Sequence, residues 1–181
     1  MDKTKWLIVV LFIIGTSSLI WSTVLFTTTI PNLQNEIDTI SAQMDVMSDN
    51  GVSYINMKTR VIMEDGFAEL AESMGYSSFS KEYSDLSNAH KQVALALLYS
   101  STTYKSPINN PEFNELLTNK EISETEDRLI TNSIYGETFI TAQKFIIEKN
   151  NKVILASRLQ ILGLILIGLS GLIERLSKRD N

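Results

Sequence analysis

Residues 6–30 read WLIVVLFIIGTSSLIWSTVLFTTTI and decide the architecture, because these 25 residues contain no charged side chain. A helix of this length extends about 37 Å, enough to cross a hydrocarbon core of about 30 Å with some tilt. The stretch is longer than the apolar part of a cleaved signal peptide, and no convincing small-residue cleavage pattern precedes Pro31. We therefore predict a retained transmembrane helix over residues 6–30, preceded by a short tail at residues 1–5.

A second apolar segment, residues 153–173, lies near the other end of the chain. A helix of this length extends about 31 Å, so it also matches the thickness of a bilayer core. A buried amphipathic core helix is the alternative, but the run ILGLILI at residues 161–167 has no polar face. The segment predicts a second transmembrane helix, followed by a tail at residues 174–181.

The positions of lysine and arginine predict the orientation of the spans. Lys3 and Lys5 precede the first span, whereas residues 31–50 contain neither Lys nor Arg. Because positive charge is retained on the cytoplasmic side, we expect a cell-membrane protein with both termini in the cytoplasm. Residues 31–152 then lie outside the cytoplasm, where their 18 acids and 10 bases disfavour close contact with anionic lipid.

Helical periodicity begins directly after the first span. Apolar residues recur there at steps of four and three, a heptad seam that consists of Leu33, Ile37, Ile40, Met44 and Met47. We expect the first membrane helix to continue outward along this seam, with a kink at Pro31 and an interruption at Asn50-Gly51. We interpret the seam as bundle core, and dimerisation through it is the alternative.

The next segment is ambiguous, because residues 52–63 fit either a helix or an alternating strand. A lone strand without a partner is unstable, so we predict helix through Met74. A turn at residues 75–80 and a second helix ending near Tyr104 follow.

After this helix, the sequence predicts a loop at residues 105–111 and a short helix at residues 112–118. Ser123 and Glu126 match a helix-capping box, in which serine caps the helix and a glutamate follows three residues later. No proline follows, so we predict one nearly continuous helix from Glu124 to Leu176, with Gly136 as its weakest point.

These elements predict an all-α protein, in which two transmembrane helices extend into an extracytoplasmic helical bundle of three or four helices. In topology alone, this layout is similar to the sensor halves of bacterial chemoreceptors. That resemblance implies a small ligand bound between bundle helices. It weakens near Asn181, because chemoreceptors continue there into a long signalling domain.

The composition excludes much chemistry. The chain has no cysteine, a single histidine, His90, and a net charge of −5, which disfavours nucleic-acid binding. It contains no phosphate-binding glycine loop, no nucleophile elbow and no motif that pairs a histidine with an acid. We therefore expect no catalytic residue and no cofactor.

Two sets of side chains are weak metal candidates. His90 has poor co-ligands in Glu82, Tyr83 and Asp85, and we expect it to be half-buried against another helix. A calcium site would use Glu121, Glu124, Glu126 and Asp127. Their spacing does not match an EF-hand, and acids are favoured at a helix N-terminus in any case, so we predict no metal site.

The predicted spans carry two features suited to contacts inside the membrane. Small residues allow close helix approach in lipid, and they occur at Gly15, Ser18, Ser22, Gly163, Ser170 and Gly171. They pack the two spans together or contact another membrane protein or a second copy. Arg158 and Gln160 lie near the start of the second span, where the arginine either reaches back to the headgroups or pairs with an acid of a partner.

Five aromatic residues flank the predicted turns: Tyr76, Phe79, Tyr83, Tyr99 and Tyr104. Packing at helix ends is our interpretation, and a small-molecule pocket is the alternative. We predict a non-catalytic accessory, assembly or interaction subunit, whose partners are the lipid bilayer and another membrane protein or a second copy. The alternative is a small-ligand sensor that signals to a separate partner, and a preformed pocket in the bundle distinguishes the two.

Overall fold

The computed structural model describes residues 3–118 and 122–179, and every regular element within these ranges is helical. In chain order the elements are α1 (Lys3–Val24), a π-helical turn (Leu25–Thr29), α2 (Ile30–Ser73), α3 (Ser77–Thr103), α4 (Pro111–Thr118), α5 (Ile122–Thr131) and α6 (Tyr135–Arg179). The prediction of an all-α protein is confirmed for the described residues. The chain divides into a terminal unit, up to Thr39 and from Ala142 onward, and a central unit, Ile40–Thr141.

Two segments are long and apolar enough to cross a membrane. They lie within Lys3–Ser73 and Ser123–Lys178, and their most apolar 18-residue windows have mean hydropathies of 2.2 and 2.0. Only 11% and 17% of these windows are buried. Large apolar side chains such as Trp21 and Ile165 are therefore exposed, as expected for surfaces that face lipid rather than a protein core.

The helix changes its hydrogen bonding just before Pro31. Leu25–Thr29 forms a π-helical turn, and the N–H of Ile30 donates to the carbonyl oxygen of Leu25. Proline has no N–H, and its ring crowds the carbonyl four residues earlier. A turn of wider i→i−5 bonding lets the chain pass Pro31 while the helix continues.

The predicted interruption at Asn50-Gly51 is wrong, because α2 runs through it to Ser73. Met47 and Tyr54 lie on either side of the glycine, and both are buried. A helical glycine costs about 1 kcal/mol, whereas burying each large apolar side chain contributes about 1.5–3 kcal/mol. The same continuous helix includes residues 52–63 and excludes a strand there.

The heptad seam continues along α2 beyond the region where the sequence shows it. The predicted seam residues are all buried or half-buried: Leu33, Ile37, Ile40, Met44 and Met47. The steps of seven then reach Tyr54 and Val61, which are buried as well. The second position of each heptad, which Met44 occupies in the first half of the seam, is taken by Gly51, Lys58 and Asp65 in the second half. Because these residues are not apolar, a search for apolar heptads does not detect the second half of the seam.

The central unit is organised around the buried face of α3. Its core contains Tyr54, Ala94, Leu95, Leu98, Tyr99, Phe113, Leu116 and Leu129. The predicted end of α3 is confirmed, because Tyr104 adopts a left-handed conformation with φ of 56°. The predicted short helix is confirmed as α4, and the turn after α2 is shorter than predicted, since α3 begins at Ser77.

The predicted continuous helix from Glu124 to Leu176 is wrong. The chain leaves the helix at residues 132–134 and starts α6 at Tyr135. There the N–H of Ile134 donates to the carbonyl oxygen of Thr102 in α3, at 2.9 Å. A tertiary hydrogen bond thus replaces a helical one, and Gly136 lies in the first turn of α6.

The predicted capping box is also wrong. Ser123 is the second residue of α5 rather than the residue before the helix. The Glu126 carboxylate pairs with Lys58 of α2. Glu126 therefore takes part in a tertiary ion pair, which a local sequence motif does not reveal.

Candidate functional site

In the terminal unit, α1 and α6 lie close together at two glycines. A Cβ atom on Gly15 would lie 2.8 Å from the Ile167 side chain and 3.0 Å from the carbonyl oxygen of Gly163. A Cβ atom on Gly163 would lie 2.8 Å from the carbonyl oxygen of Gly15. Real Cβ atoms do not come as close as 2.8 Å to a carbonyl oxygen, so a side chain at Gly163 would push the two backbones apart. A side chain at Gly15 would first have to displace the Ile167 side chain.

A hydrogen bond joins the same two helices. The Ser22 hydroxyl donates to the carbonyl oxygen of Ala156 at 2.8 Å, and both residues are buried. Together with the glycine contact, this bond shows that the two helices run antiparallel. From Gly15 to Ser22 the residue number rises along α1, whereas the facing residues on α6 fall from Gly163 to Ala156. The helix pair is therefore fixed in one register.

Small residues recur at intervals of seven on both helices. They are Gly15 and Ser22 on α1, and Ala156, Gly163 and Ser170 on α6, and all five are buried. A strict seven-residue repeat keeps one face of a helix against its neighbour over several turns. Ala156 was missed in the sequence, although its distance of seven residues from Gly163 was the signal that could have found it.

Two of the predicted packing residues lie away from this contact. Ser18 is half-buried, and its hydroxyl bonds to the Ile14 carbonyl of its own helix. Gly171 is exposed, and a Cβ atom there would meet nothing within 4 Å. The neighbouring Ser170 is buried instead.

The side chains of Arg158 and Gln160 are exposed. The apolar stretch at residues 6–30 offers no acid with which the arginine could pair. Both side chains are therefore accessible from outside the helix pair. A contact with the acid of another subunit stays a prediction.

In the central unit, Lys58 joins α2 to α5. Its ammonium group forms an ion pair with Glu126 and donates a 3.1 Å hydrogen bond to the hydroxyl of Tyr54. Burial lowers the pKa of Lys58, but the hydrogen bonds to Glu126 and Tyr54 raise it above its usual value. The pKa of the Tyr54 hydroxyl is also raised, in this case mainly by burial. The lysine therefore stays charged and holds the two helices together.

Two acids of α2 hold α3. Glu64 accepts a hydrogen bond from Nδ1 of His90 at 2.8 Å, and Asp65 accepts one from the hydroxyl of Ser87 at 2.6 Å. Lys91 forms an ion pair with Asp65 at 3.0 Å. The Ser87 hydroxyl, and then Lys91, hold the pKa of Asp65 below its usual value against the opposing effect of burial.

His90 is half-buried against another helix, and its partner is Glu64 rather than the candidates Glu82, Tyr83 and Asp85. Within residues 3–118 and 122–179, no group of three His, Asp or Glu side chains is arranged to hold a metal ion. Of the calcium candidates, Glu121 lies outside the described residues, and Glu126 is paired with Lys58.

A cleft of about 380 Å³ opens between α2, α3 and α5. Its lining residues are Lys58, Val61, Ile62, Asn88, Lys91, Ala94, Ser123 and Glu126. Both lysines in its wall already have carboxylate partners, in Glu126 and Asp65. The wall of the cleft thus combines apolar side chains with charged groups that are already paired.

The five aromatic residues that flank the predicted turns do not line one common pocket. Tyr99 is fully buried in the core, with its ring 5.3 Å from that of Phe113. Its hydroxyl donates to the Glu112 carboxylate at 3.0 Å, and burial, followed by this hydrogen bond, raises the pKa of Tyr99. Tyr104 ends α3, while the other three aromatic residues lie at the connection between α2 and α3.

That connection presents a large apolar surface. We call it the hairpin face, and it consists of Met63, Phe67 and Leu70 of α2, Met74 directly after that helix, and Phe79, Tyr83 and Leu86 of α3. Their exposed fractions range from 37% to 61%. The rings of Phe67 and Tyr83 lie 5.5 Å apart, so the two helices contribute to one continuous surface. Surfaces of this kind mark sites of interaction.

Comparison with known protein families, with curated proteins and with solved structures found no match to this chain.

Proposed function

We propose that the protein is a non-catalytic, membrane-anchored interaction subunit. Residues 6–30 and 153–173 cross the cell membrane, both termini lie in the cytoplasm, and residues 31–152 lie outside it. The hairpin face is the observation that carries the proposal. Seven large apolar side chains remain 37% to 61% exposed, and a docked partner would bury the surface that the fold of the chain leaves open.

The polar side chains of the central unit support a binding role rather than chemistry. Lys58, Asp65 and His90 each join α2 to another helix, through Glu126, Lys91 and Glu64 respectively. Each of these contacts lies between two helices and holds them together, which is a structural role. They stabilise the scaffold that presents the hairpin face.

A second function, the binding of a small ligand by a sensor, is favoured by the cleft between α2, α3 and α5. Its volume of about 380 Å³ lies within the range of about 300–1,000 Å³ that small-molecule sites occupy. The cleft walls belong to three helices, so a bound ligand would change their packing. The sensor would pass this change to a separate partner through the spans.

The first experiment is extraction of the protein from its native membrane in mild detergent, followed by mass spectrometry of the intact complex. The interaction subunit requires a foreign subunit in fixed stoichiometry. A homodimer that contains no other protein contradicts this proposal and favours the sensor. Ligand screening by thermal shift, with Asn88→Leu to fill the cleft, would then test the sensor directly.

The membrane orientation has its own test, because the chain has no cysteine. Single cysteines at Asp45 and Asp85 are expected to react with a membrane-impermeant maleimide on intact cells, and one at Lys178 only after permeabilisation. Labelling of the Lys178→Cys variant on intact cells would overturn the proposed orientation.

A further inference from the structure

The hairpin face has a defined shape. Met63, Phe67 and Leu70 are spaced by four and three residues, which places them on one side of α2. Met74 follows one residue after the end of α2 and continues this row, because its N–H still donates to the carbonyl oxygen of Leu70. The row extends over about 17 Å. Phe79, Tyr83 and Leu86 are spaced by four and three on α3. The two rows lie side by side, because Phe67 of one contacts Tyr83 of the other. Three turns of a partner helix match the length of this surface.

The composition of the face suits an adaptable contact. It combines two methionines with three aromatic residues, and methionine side chains adjust their shape to different partners. The edge-to-face contact between Tyr76 and Phe79, with ring centroids 6.4 Å apart, continues the apolar surface into the connection between the helices. An amphipathic helix that lies on such a surface buries anchor residues at helical spacing.

The charge around the face is strongly acidic. Between Met63 and Leu86 the chain contains six acids and one base, Lys81. Glu64 and Asp65 are occupied by His90 and Lys91. The remaining acids, Glu69, Glu72, Glu82 and Asp85, are exposed. Glu69 and Glu82 each directly precede a residue of the face, so they lie beside it.

We propose that the hairpin face binds an amphipathic helix of a partner protein that carries lysine and arginine beside its apolar stripe. This inference rests on the proposed function and names the chemistry of the partner. The apolar stripe covers the seven side chains, and the basic residues pair with the acids beside them. Charge complementarity of this kind fixes the register of a helix and speeds its association.

The same charges argue against the two other occupants of an apolar surface. A second copy would bring two acidic rims together, and like charges at an interface cost several kcal/mol. An anionic lipid surface would be repelled by the same acids. The test therefore includes both as contradictory outcomes.

The experiment uses the full chain in nanodiscs of zwitterionic phosphatidylcholine, with empty nanodiscs as the blank. The probes are two fluorescent amphipathic peptides of about 18 residues, identical in their leucines but carrying either lysine or glutamate on the polar face. Fluorescence anisotropy measures their affinity. We expect the lysine peptide to bind saturably, more weakly at high salt, and the glutamate peptide not to bind.

Two variants locate the binding site. Leu70→Ser with Phe79→Ser removes two exposed anchors and is expected to weaken the lysine peptide about tenfold or more. The control is Ile108→Ser, which alters an apolar residue that is 77% exposed but lies outside the face, and it is expected to leave the affinity unchanged. Glu69→Lys with Glu82→Lys is expected to weaken the lysine peptide and to admit the glutamate peptide.

Several outcomes overturn the inference. They are equal binding of both peptides, binding of neither, or a loss that is the same in the Ile108→Ser control. A concentration-dependent dimer that disappears in the Leu70→Ser, Phe79→Ser variant would assign the face to a second copy. Flotation with phosphatidylserine vesicles that depends on the same two residues would assign it to lipid.

The inference and the proposed function fail separately. If a foreign subunit is extracted equally well with the Leu70→Ser, Phe79→Ser variant, the function stands and the hairpin face is not its docking site. If no foreign subunit is found but the lysine peptide still binds at the face, the function fails and the chemistry of the surface stands.

Discussion

The hydroxyl of Ser22 donates a 2.8 Å hydrogen bond to the carbonyl oxygen of Ala156, a residue 134 positions away in the chain. One helical heptad away on each helix, Gly15 lies against Gly163. The two contacts together fix the rotation and the register of α1 against α6. In the proposed membrane setting, this close backbone approach would take the place of a hydrophobic driving force, which lipid does not provide between helices.

Substituting Gly163 by leucine is expected to separate the two helices. A Cβ atom at this position would lie 2.8 Å from the carbonyl oxygen of Gly15, and a backbone atom cannot swing away as a side chain can. Overpacking costs about 1–3 kcal/mol. The measurement is the yield of a disulfide in a Ser22→Cys, Ala156→Cys background, which is expected to fall several-fold.

The matched control for that experiment is Gly168→Leu. A Cβ atom on Gly168 would have no neighbour within 4 Å, so the disulfide yield is expected to stay unchanged. Equal yields for Gly163→Leu and the parent protein would show that the glycine contact does not hold the helices together.

Ser22→Ala is expected to weaken the helix pair modestly. The substitution removes the hydrogen bond to Ala156, and bonds of this kind between membrane helices contribute about 0.6 kcal/mol, with a maximum of about 1.7 kcal/mol. Unfolding in mixed micelles of increasing SDS content measures the change. Ser18→Ala is the control, because that hydroxyl bonds within its own helix, and an equal loss in both variants would contradict an interhelical role.

Lys58→Met is expected to loosen α5. The substitution leaves the carboxylate of Glu126, whose side chain is only 12% exposed, without its ion pair. An unsatisfied buried group costs about 1–3 kcal/mol, and the 44% exposure of the Lys58 side chain places the cost near the lower end. Hydrogen exchange over residues 122–131 is expected to accelerate more than exchange in α3.

Two further variants test the cause of that effect. Adding Glu126→Gln to Lys58→Met is expected to restore part of the protection, since it removes the unpaired charge. Lys105→Met breaks an exposed ion pair with Glu112 and is expected to change little. No recovery in the double variant would mean that Lys58 acts through its packing or through Tyr54.

Asp65→Asn is expected to destabilise the protein at neutral pH but not in strong acid. The Ser87 hydroxyl, followed by Lys91, lowers the pKa of Asp65 below its usual value of 3.8. A carboxyl group with a lowered folded-state pKa contributes stability above its unfolded-state pKa and loses it as the pH falls through the folded-state value. The difference between the variant and the parent should therefore shrink below about pH 4.

The size of this difference is expected to be at most about 1 kcal/mol, because the Asp65 side chain is 45% exposed and solvent screens the pair. Midpoints of urea unfolding across a pH series give the measurement. Asp85→Asn, which alters an exposed acid on α3, is the control. A difference for Asp65→Asn that does not change with pH would mean that the residue acts through packing alone.

Much of the helical organisation could be predicted locally. The C-terminal end of α3 and the short α4 follow from proline and asparagine signals, and the first part of the α2 seam follows from its apolar heptads. The seam beyond Met47 was hidden because Lys58 and Asp65 occupy core-facing positions. Ala156 was missed because alanine gives no strong hydrophobic signal, although it completes the seven-residue pattern.

The sequence by itself determined the all-helical class and the two long apolar segments, because uninterrupted hydrophobicity and helical periodicity are properties of neighbouring residues. Only the tertiary structure decided that α2 passes through Gly51, that the chain breaks at residues 132–134, and that Glu126 pairs with Lys58. In each case the deciding partner is distant in the chain: the α3 core around Leu95 that buries Tyr54, the carbonyl of Thr102, and an ammonium group on another helix. Contacts over such distances outweigh local propensities of about 1 kcal/mol, and no local pattern records them.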